Sequence, residues 1–173
     1  GSAVIKVADT PTGYTNWYAY TPAESGKYII KASDAKAVVY YADFEEIPSL
    51  GNDFSAYDQM PYEESLKKGV TYYYAVNYTT KPEADVTFSI TRAAANKLET
   101  EYTVDVSKLQ PNEKTYLSFT APADGRFVFT SSDTAVYAEW YSKVDSEDAV
   151  DRFEFNTEKP MKAGQELILA VYA

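Results

Sequence analysis

The chain has 173 residues, of which 45% are hydrophobic and 24% charged, and a formal net charge of -10 at pH 7. This balance of hydrophobic and charged residues is typical of a folded domain. The negative net charge disfavours nucleic acid as a partner. A membrane-spanning helix needs about 18 consecutive apolar residues, and no apolar run in the sequence is that long. The absence of Cys and His excludes disulfides, thiolate chemistry and the commonest zinc ligand, so we expect no cofactor, no metal and no membrane insertion.

The sequence repeats itself at an offset of 99 residues. Residues 17–34, WYAYTPAESGKYIIKASD, align without a gap to residues 116–133, YLSFTAPADGRFVFTSSD. Residues 66–72 align to 161–167 at an offset of 95, so the first copy has additional residues, which we place in a long loop at 44–65. The repeat predicts two modules, at 3–92 and 100–173.

Each copy alternates apolar and polar residues between Gly, Pro, Asn and Asp, as half-buried β-strands do. The alternation predicts strands near 3–8, 16–22, 27–32, 36–42, 70–78 and 85–92, and near 102–106, 115–120, 126–131, 135–142, 152–156 and 165–172. Helix signal is limited to single turns at 62–68 and 93–98. The predicted fold class is therefore all-β, with two tandem antiparallel β-sandwich modules related by an internal repeat. The second module lacks a counterpart of strand 85–92, so its last strand is missing or supplied otherwise.

The alternation also assigns the aromatic residues to the two faces of each sheet. The side chains predicted to face the cores are Tyr18, Tyr20, Tyr28, Ile30, Tyr41, Tyr72, Tyr74, Val76, Leu117, Phe119, Phe127, Phe129, Ala138, Trp140, Leu167, Leu169 and Val171. Those predicted to face outward are Trp17, Tyr40, Tyr73, Asn77, Tyr137 and Tyr141. A strip formed by Trp17, Tyr40 and Tyr73 either binds a ligand or packs against the other module, and the sequence leaves both open.

The predicted long loop mixes aromatic residues with Asn, Asp and Gln. Sugar sites use this combination, because a ring stacks on the apolar face of a pyranose while amides and carboxylates bind its hydroxyls. The same composition also suits a plain strand connection. The residues that we predict to bind a ligand are Trp17, Tyr40, Tyr73, Asn77, Tyr57, Asp58 and Gln59.

Motifs of catalysis are missing from the sequence. It contains no nucleophile elbow, no P-loop and no dinucleotide fingerprint, and without His it has no conventional triad. We therefore predict that the protein is not an enzyme. The acidic residues Asp145, Glu147, Asp148 and Asp151 could hold Ca²⁺, but they lack EF-hand spacing, and a solvated loop is the favoured interpretation.

The turn-and-strand segments T-P-A-E-S-G-K-Y at residues 21–28 and T-A-P-A-D-G-R-F at residues 120–127, together with L-K-K-G-V-T-Y-Y-Y-A-V at residues 66–76, resemble the pre-peptidase C-terminal type of β-sandwich. The resemblance implies accessory modules of a larger secreted bacterial protein, hence an extracellular or cell-surface location and adjoining domains as partners. In style the chain is also similar to non-catalytic starch-adherence surface proteins of gut bacteria. The predicted function is binding of a starch-type α-glucan or another neutral glycan. The alternative is a structural spacer or protein-interaction module that displays a neighbouring domain.

Overall fold

The computed structural model describes residues 1–34, 37–43, 55–57, 61–111 and 113–173, with the backbone alone at 38, 40–43, 55–57 and 106. The described chain forms two compact units, Gly1–Arg92 (unit 1) and Ala93–Ala173 (unit 2). Its structure is all-β with antiparallel sheets, as predicted. No helix in the described residues is both long enough and apolar enough to span a membrane.

Unit 1 is a sandwich of two four-stranded sheets. Its strands are β1 (Ser2–Ile5), β2 (Asn16–Tyr20), β3 (Gly26–Ala32), β4 (Ala37–Asp43), β5 (Ser55–Tyr57), β6 (Tyr62–Leu66), β7 (Tyr72–Tyr78) and β8 (Val86–Arg92). Sheet I has the order β1-β8-β3-β6, and sheet II has the order β2-β7-β4-β5. Gly69, in the turn before β7, has a φ of 79°, which a residue with a Cβ adopts only under strain.

The core of unit 1 lies between its two sheets and is rich in tyrosine. Phe88 of sheet I stacks on Tyr18 with ring centroids 5.5 Å apart and packs on Tyr74 at 5.6 Å. Tyr78 is also buried, and its hydroxyl donates to the carbonyl of Thr10. Each hydroxyl buried in this way needs an acceptor, so a tyrosine core constrains the surrounding backbone more than a phenylalanine core does.

Unit 2 has one large and one small sheet. Its strands are β9 (Asn96–Lys97), β10 (Thr115–Thr120), β11 (Gly125–Val128), β12 (Tyr137–Tyr141), β13 (Asp151–Phe153), β14 (Glu158–Met161) and β15 (Glu166–Tyr172). Sheet III has the order β13-β12-β15-β10-β9, and sheet IV consists of β11 and β14. The pairing of β9 with β10 is parallel.

The core of unit 2 is built on phenylalanine. Phe119 of sheet III makes edge contacts with Phe127 at 5.3 Å and with Phe129 at 5.1 Å. Trp140 packs against this core, half-buried, with the Lys159 ammonium 4.7 Å from its ring centroid. Every predicted inward residue with a described side chain belongs to one of the two cores or packs against it; the side chain of Tyr41 lies outside the described set.

The strand registers of the two units follow the offsets seen in the sequence. Tyr18 lies opposite Tyr74 in unit 1, and Leu117 lies opposite Leu169 in unit 2. Likewise Gly26 lies opposite Leu66 in sheet I, and Gly125 lies opposite Met161 in sheet IV, at offsets of 99 and 95 residues. These registers support the predicted repeat, which stays an inference from the sequence.

The predicted long loop at 44–65 is wrong in part, because β5 and β6 lie within or overlap it. The helical turn considered at 62–68 is likewise strand β6 over most of its length. Glu63 and Glu64 obscured the strand signal there. The structure accommodates Glu63 because the Lys27 ammonium on the adjacent strand lies 3.4 Å away.

The strand predicted at 102–106 is absent; the segment is irregular and runs into a short 3-10 helix, Val106–Lys108. Its counterpart in unit 1, β1, pairs with β8. The described residues of unit 2 form no strand in the position of β8, and a strand without a hydrogen-bonding partner gains nothing from extended geometry.

Tyr141 lies on the predicted outer face of its sheet but is buried, with 3% of its surface exposed. Its ring packs edge-on against Tyr116, and its hydroxyl lies 3.0 Å from the Lys114 ammonium. Burial raises the pKa of Tyr141, an effect that Lys114 partly offsets. The strand phase was therefore right, and the exposure inferred from it was wrong.

Candidate functional site

The outer face of sheet II presents the most exposed tryptophan of the chain. Trp17 on β2 is 55% exposed, although its neighbours Tyr18 and Asn16 are half-buried. The alternation of β2 causes this, because Tyr18 and Tyr20 face the core and leave Trp17 and Ala19 on the other side. Leaving half of a tryptophan side chain exposed to water forgoes the favourable free energy of burying its apolar surface.

Two tyrosines share this face by register. Trp17 lies opposite Ala75 of β7, and Ala75 lies opposite Tyr40 of β4. Trp17 and Tyr40 are therefore two strand spacings apart, about 10 Å between backbones. Tyr73, two residues before Ala75, occupies the position diagonal to both, at about 7–8 Å. The three positions form a triangle on one sheet face, with Tyr73 half-buried.

Alanines occupy the positions between these aromatic residues. Ala75 separates Trp17 from Tyr40 in the register, and Tyr73 lies between Ala19 and Ala42. Ala75 is buried although it faces outward, so neighbouring side chains cover it.

Polar groups flank the aromatic triangle at both ends of β7. Asn77 lies on the same face, opposite Val38, and is half-buried. At the other end the hydroxyls of Thr21 and Thr71 lie 2.8 Å apart. These two threonines were not among the predicted site residues, although extending the strand alternation by one step places both on the outer face.

The remaining predicted site residues do not join this face. Tyr57 on β5 lies opposite Val39, a core residue, so its register position belongs to the inner face of sheet II. Asp58 and Gln59 lie outside the described residues. The structure thus brings together Trp17, Tyr40, Tyr73 and Asn77, by register, and does not bring Tyr57 to them.

Electrostatics behind the face favour a neutral surface. Tyrosine, with an ordinary pKa of 10.0, is uncharged at neutral pH, and desolvation by burial raises the pKa of Tyr18 and Tyr20 further. Among the residues that the structure describes, no group of three or more acidic side chains is placed to hold a metal ion. The arrangement offers aromatic rings for stacking and amide and hydroxyl groups for hydrogen bonds.

The equivalent face of sheet III in unit 2 is different. Tyr116, which the offset of 99 matches to Trp17, is 2% exposed. The residue matched to Tyr40 is Glu139, whose carboxylate pairs with the Lys114 ammonium at 3.4 Å. The exposed Trp17 of unit 1 therefore has a buried counterpart in unit 2.

Known proteins add no function to this geometry: no protein-family model and no curated protein sequence matches the chain.

Proposed function

We propose that unit 1 is a non-catalytic glycan-binding module, and that it binds a starch-type α-glucan on the outer face of sheet II. The observation that carries the proposal is the exposure of Trp17, 55% of its surface, on a regular strand rather than in a loop. A ring held by a sheet loses little conformational freedom on binding, so more of the contact energy remains as affinity.

The chemistry of the face matches a pyranose. The apolar side of a sugar ring packs against an aromatic ring, and the sugar hydroxyls need polar partners at the edge. Trp17 and Tyr73 supply adjacent stacking positions, and Asn77 and the Thr21–Thr71 pair supply amide and hydroxyl groups. A chain of sugars can follow the aromatic positions across the strands.

Charge supports a neutral ligand. The protein carries a net charge of -10, which repels polyanions and leaves neutral polysaccharides unaffected. The choice of an α-glucan, and the placement in a secreted or cell-surface bacterial protein, come from the resemblance described above. A shallow, solvent-exposed face implies modest affinity, about 4–8 kcal/mol, or millimolar to micromolar dissociation constants.

Isothermal calorimetry with the 173-residue protein tests the proposal. We expect binding of maltoheptaose, weaker or no binding of xylohexaose and cellohexaose, and a loss of at least tenfold in affinity for Trp17→Ala. Tyr137→Ala is the matched control, because Tyr137 is an equally exposed ring on unit 2, and we expect it to bind like the wild type. Flat titrations with every glycan would overturn the proposal and leave the spacer or protein-interaction function.

A further inference from the structure

We propose that unit 2 contains a strand-acceptor groove, which binds one extended polypeptide strand of a partner protein between β11 and residues 101–104. The groove has a volume of about 680 Å³. Its floor is apolar and includes Phe119, Phe127, Phe129 and Leu169. This inference is independent of the glycan proposal, which concerns unit 1.

Unit 1 shows what fills the equivalent position. There β8 lies between β1 and β3, and it places Val86, Phe88 and Ile90 in the core with at most 4% of each exposed. In unit 2 the counterpart of β3 is β11, because β11 pairs with β14 in the same register in which β3 pairs with β6. The counterpart of β1 is residues 101–104, which line the groove. The groove therefore occupies the place of β8.

The groove-side edge of β11 has no strand partner in the described part of unit 2. Among the described strands β11 pairs with β14, whereas β3 pairs with both β6 and β8. The side chains of the two strands differ in exposure accordingly. Val128 of β11 is 53% exposed, whereas its counterpart Ile29 of β3 is half-buried.

The direction of the backbone groups identifies which amides face the groove. The carbonyl of Phe129 accepts from the amide of Asn156 at 2.8 Å, so Phe129 points its hydrogen-bonding groups toward the β14 side. Since these groups alternate along a strand, those of Val128 and Thr130 point to the groove. In unit 1 the amide of Ser33, on the same side of its strand, donates to the Thr87 carbonyl of β8 at 2.9 Å.

These features define the chemistry of the occupant. It is an extended strand with apolar residues at alternate positions, because the floor is apolar and the edge offers main-chain hydrogen bonds. Because β8 pairs with β3 in antiparallel orientation, the bound strand should run antiparallel to β11. The rim carries the carboxylates of Glu101 and Asp133, which favour a strand with a basic flank, as β8 has in Arg92.

The test uses a fluorescent peptide with the sequence of residues 85–92, Asp-Val-Thr-Phe-Ser-Ile-Thr-Arg, titrated with the 173-residue protein. We expect saturable binding by anisotropy, and slower amide exchange at Val128 and Thr130. A peptide with Asp in place of the central Phe should bind at least tenfold more weakly, because the apolar floor rejects a charge.

Two variants at one exposed position separate strand addition from adhesion to apolar surface. Thr130→Pro removes the groove-facing amide and should weaken the peptide at least tenfold; Thr130→Ala keeps the amide and should bind like the wild type. The proposal is wrong if the Phe and Asp peptides bind equally, if Thr130→Pro has no effect, or if protection appears only in unit 1. Dimerisation of the protein through the groove, or protection of it by maltoheptaose, would also overturn it.

Discussion

Sheet IV of unit 2 and the matching strand pair of unit 1 share a register but not an environment. In unit 1, Lys27 and Glu63 form an ion pair at 3.4 Å, with 3% of the lysine side chain exposed. In unit 2, Arg126 and Glu158 form the matching pair at 3.1 Å, with 72% of the arginine side chain exposed. The pair is buried where β3 lies between two strands and exposed where β11 has one described strand partner, so the burial of a strand depends on the strands around it as well as on its own residues.

The largest effect is expected at β8, a strand that has no counterpart among the described strands of unit 2. Phe88→Ala should lower the free energy of unfolding of unit 1 by about 3–5 kcal/mol, because it removes a buried ring that two aromatic residues contact. Native-state hydrogen exchange measures each unit separately. Protection in unit 2 should not change, and Val128→Ala, at an exposed site, should cost less than about 0.5 kcal/mol. Equal losses in both units would show that the cores are not separate.

The matched ion pairs give the next effect. Glu63→Gln removes one carboxylate partner of the buried Lys27 ammonium and should cost about 1.5–3 kcal/mol. Glu158→Gln breaks a solvent-exposed pair and should cost less than about 1 kcal/mol. Urea unfolding followed by amide exchange in the two units checks both. Similar costs for the two variants would contradict the difference in burial.

Alkaline pH should affect unit 1 through its tyrosines. Burial raises the pKa of Tyr18, and burial together with Tyr28 raises that of Tyr20, above the ordinary value of 10.0. A raised pKa in the folded state means that stability is full below pH 10 and falls as the pH rises through the folded values. The double variant Tyr18→Phe, Tyr20→Phe should show a shallower fall in amide protection of unit 1 between pH 9 and 11. An unchanged profile would contradict this cause.

The smallest effect is expected at acid pH. The amide of Val7 at 3.0 Å, and the Lys6 ammonium, lower the pKa of Asp85 below its ordinary value of 3.8. The stabilisation is therefore present above pH 3.8 and is lost as the pH falls through the lowered value. Exchange at the Val7 amide should accelerate below that pH in the wild type, and Asp85→Asn should remove the dependence. A wild-type exchange rate without this acid step would rule out the hydrogen bond from the Val7 amide to the Asp85 carboxylate.

Much of the fold followed from the sequence, because alternation and the repeat depend on local residue order. The inward phase of Tyr72, Tyr74 and Val76 was predicted in this way, and all three are buried. Strands β6 and β14 were not predicted, because charged residues and Pro160 mask their pattern. A proline is tolerated in β14 since that strand lies at the edge of a two-stranded sheet.

The candidate site was predictable only in part. The outward phase identified Trp17, Tyr73 and Asn77, whereas Tyr57 was chosen by loop composition, which carries no information about register. The burial of Tyr141 also escaped prediction, because its cover comes from Lys114 and Tyr116, on another part of the chain. The exposure of a side chain depends on contacts with segments far away in the sequence, and the local residue pattern of a strand does not predict those contacts.

The two tryptophans allow a direct test of the glycan site, since each gives one indole N–H signal in a ¹⁵N-labelled protein. Titration with maltoheptaose should shift the signal of the exposed Trp17 together with the amides of Tyr73 and Asn77, and leave the half-buried Trp140 unmoved. A shift of Trp140 alone, or no shift of either indole at millimolar sugar, would contradict binding at the outer face of sheet II.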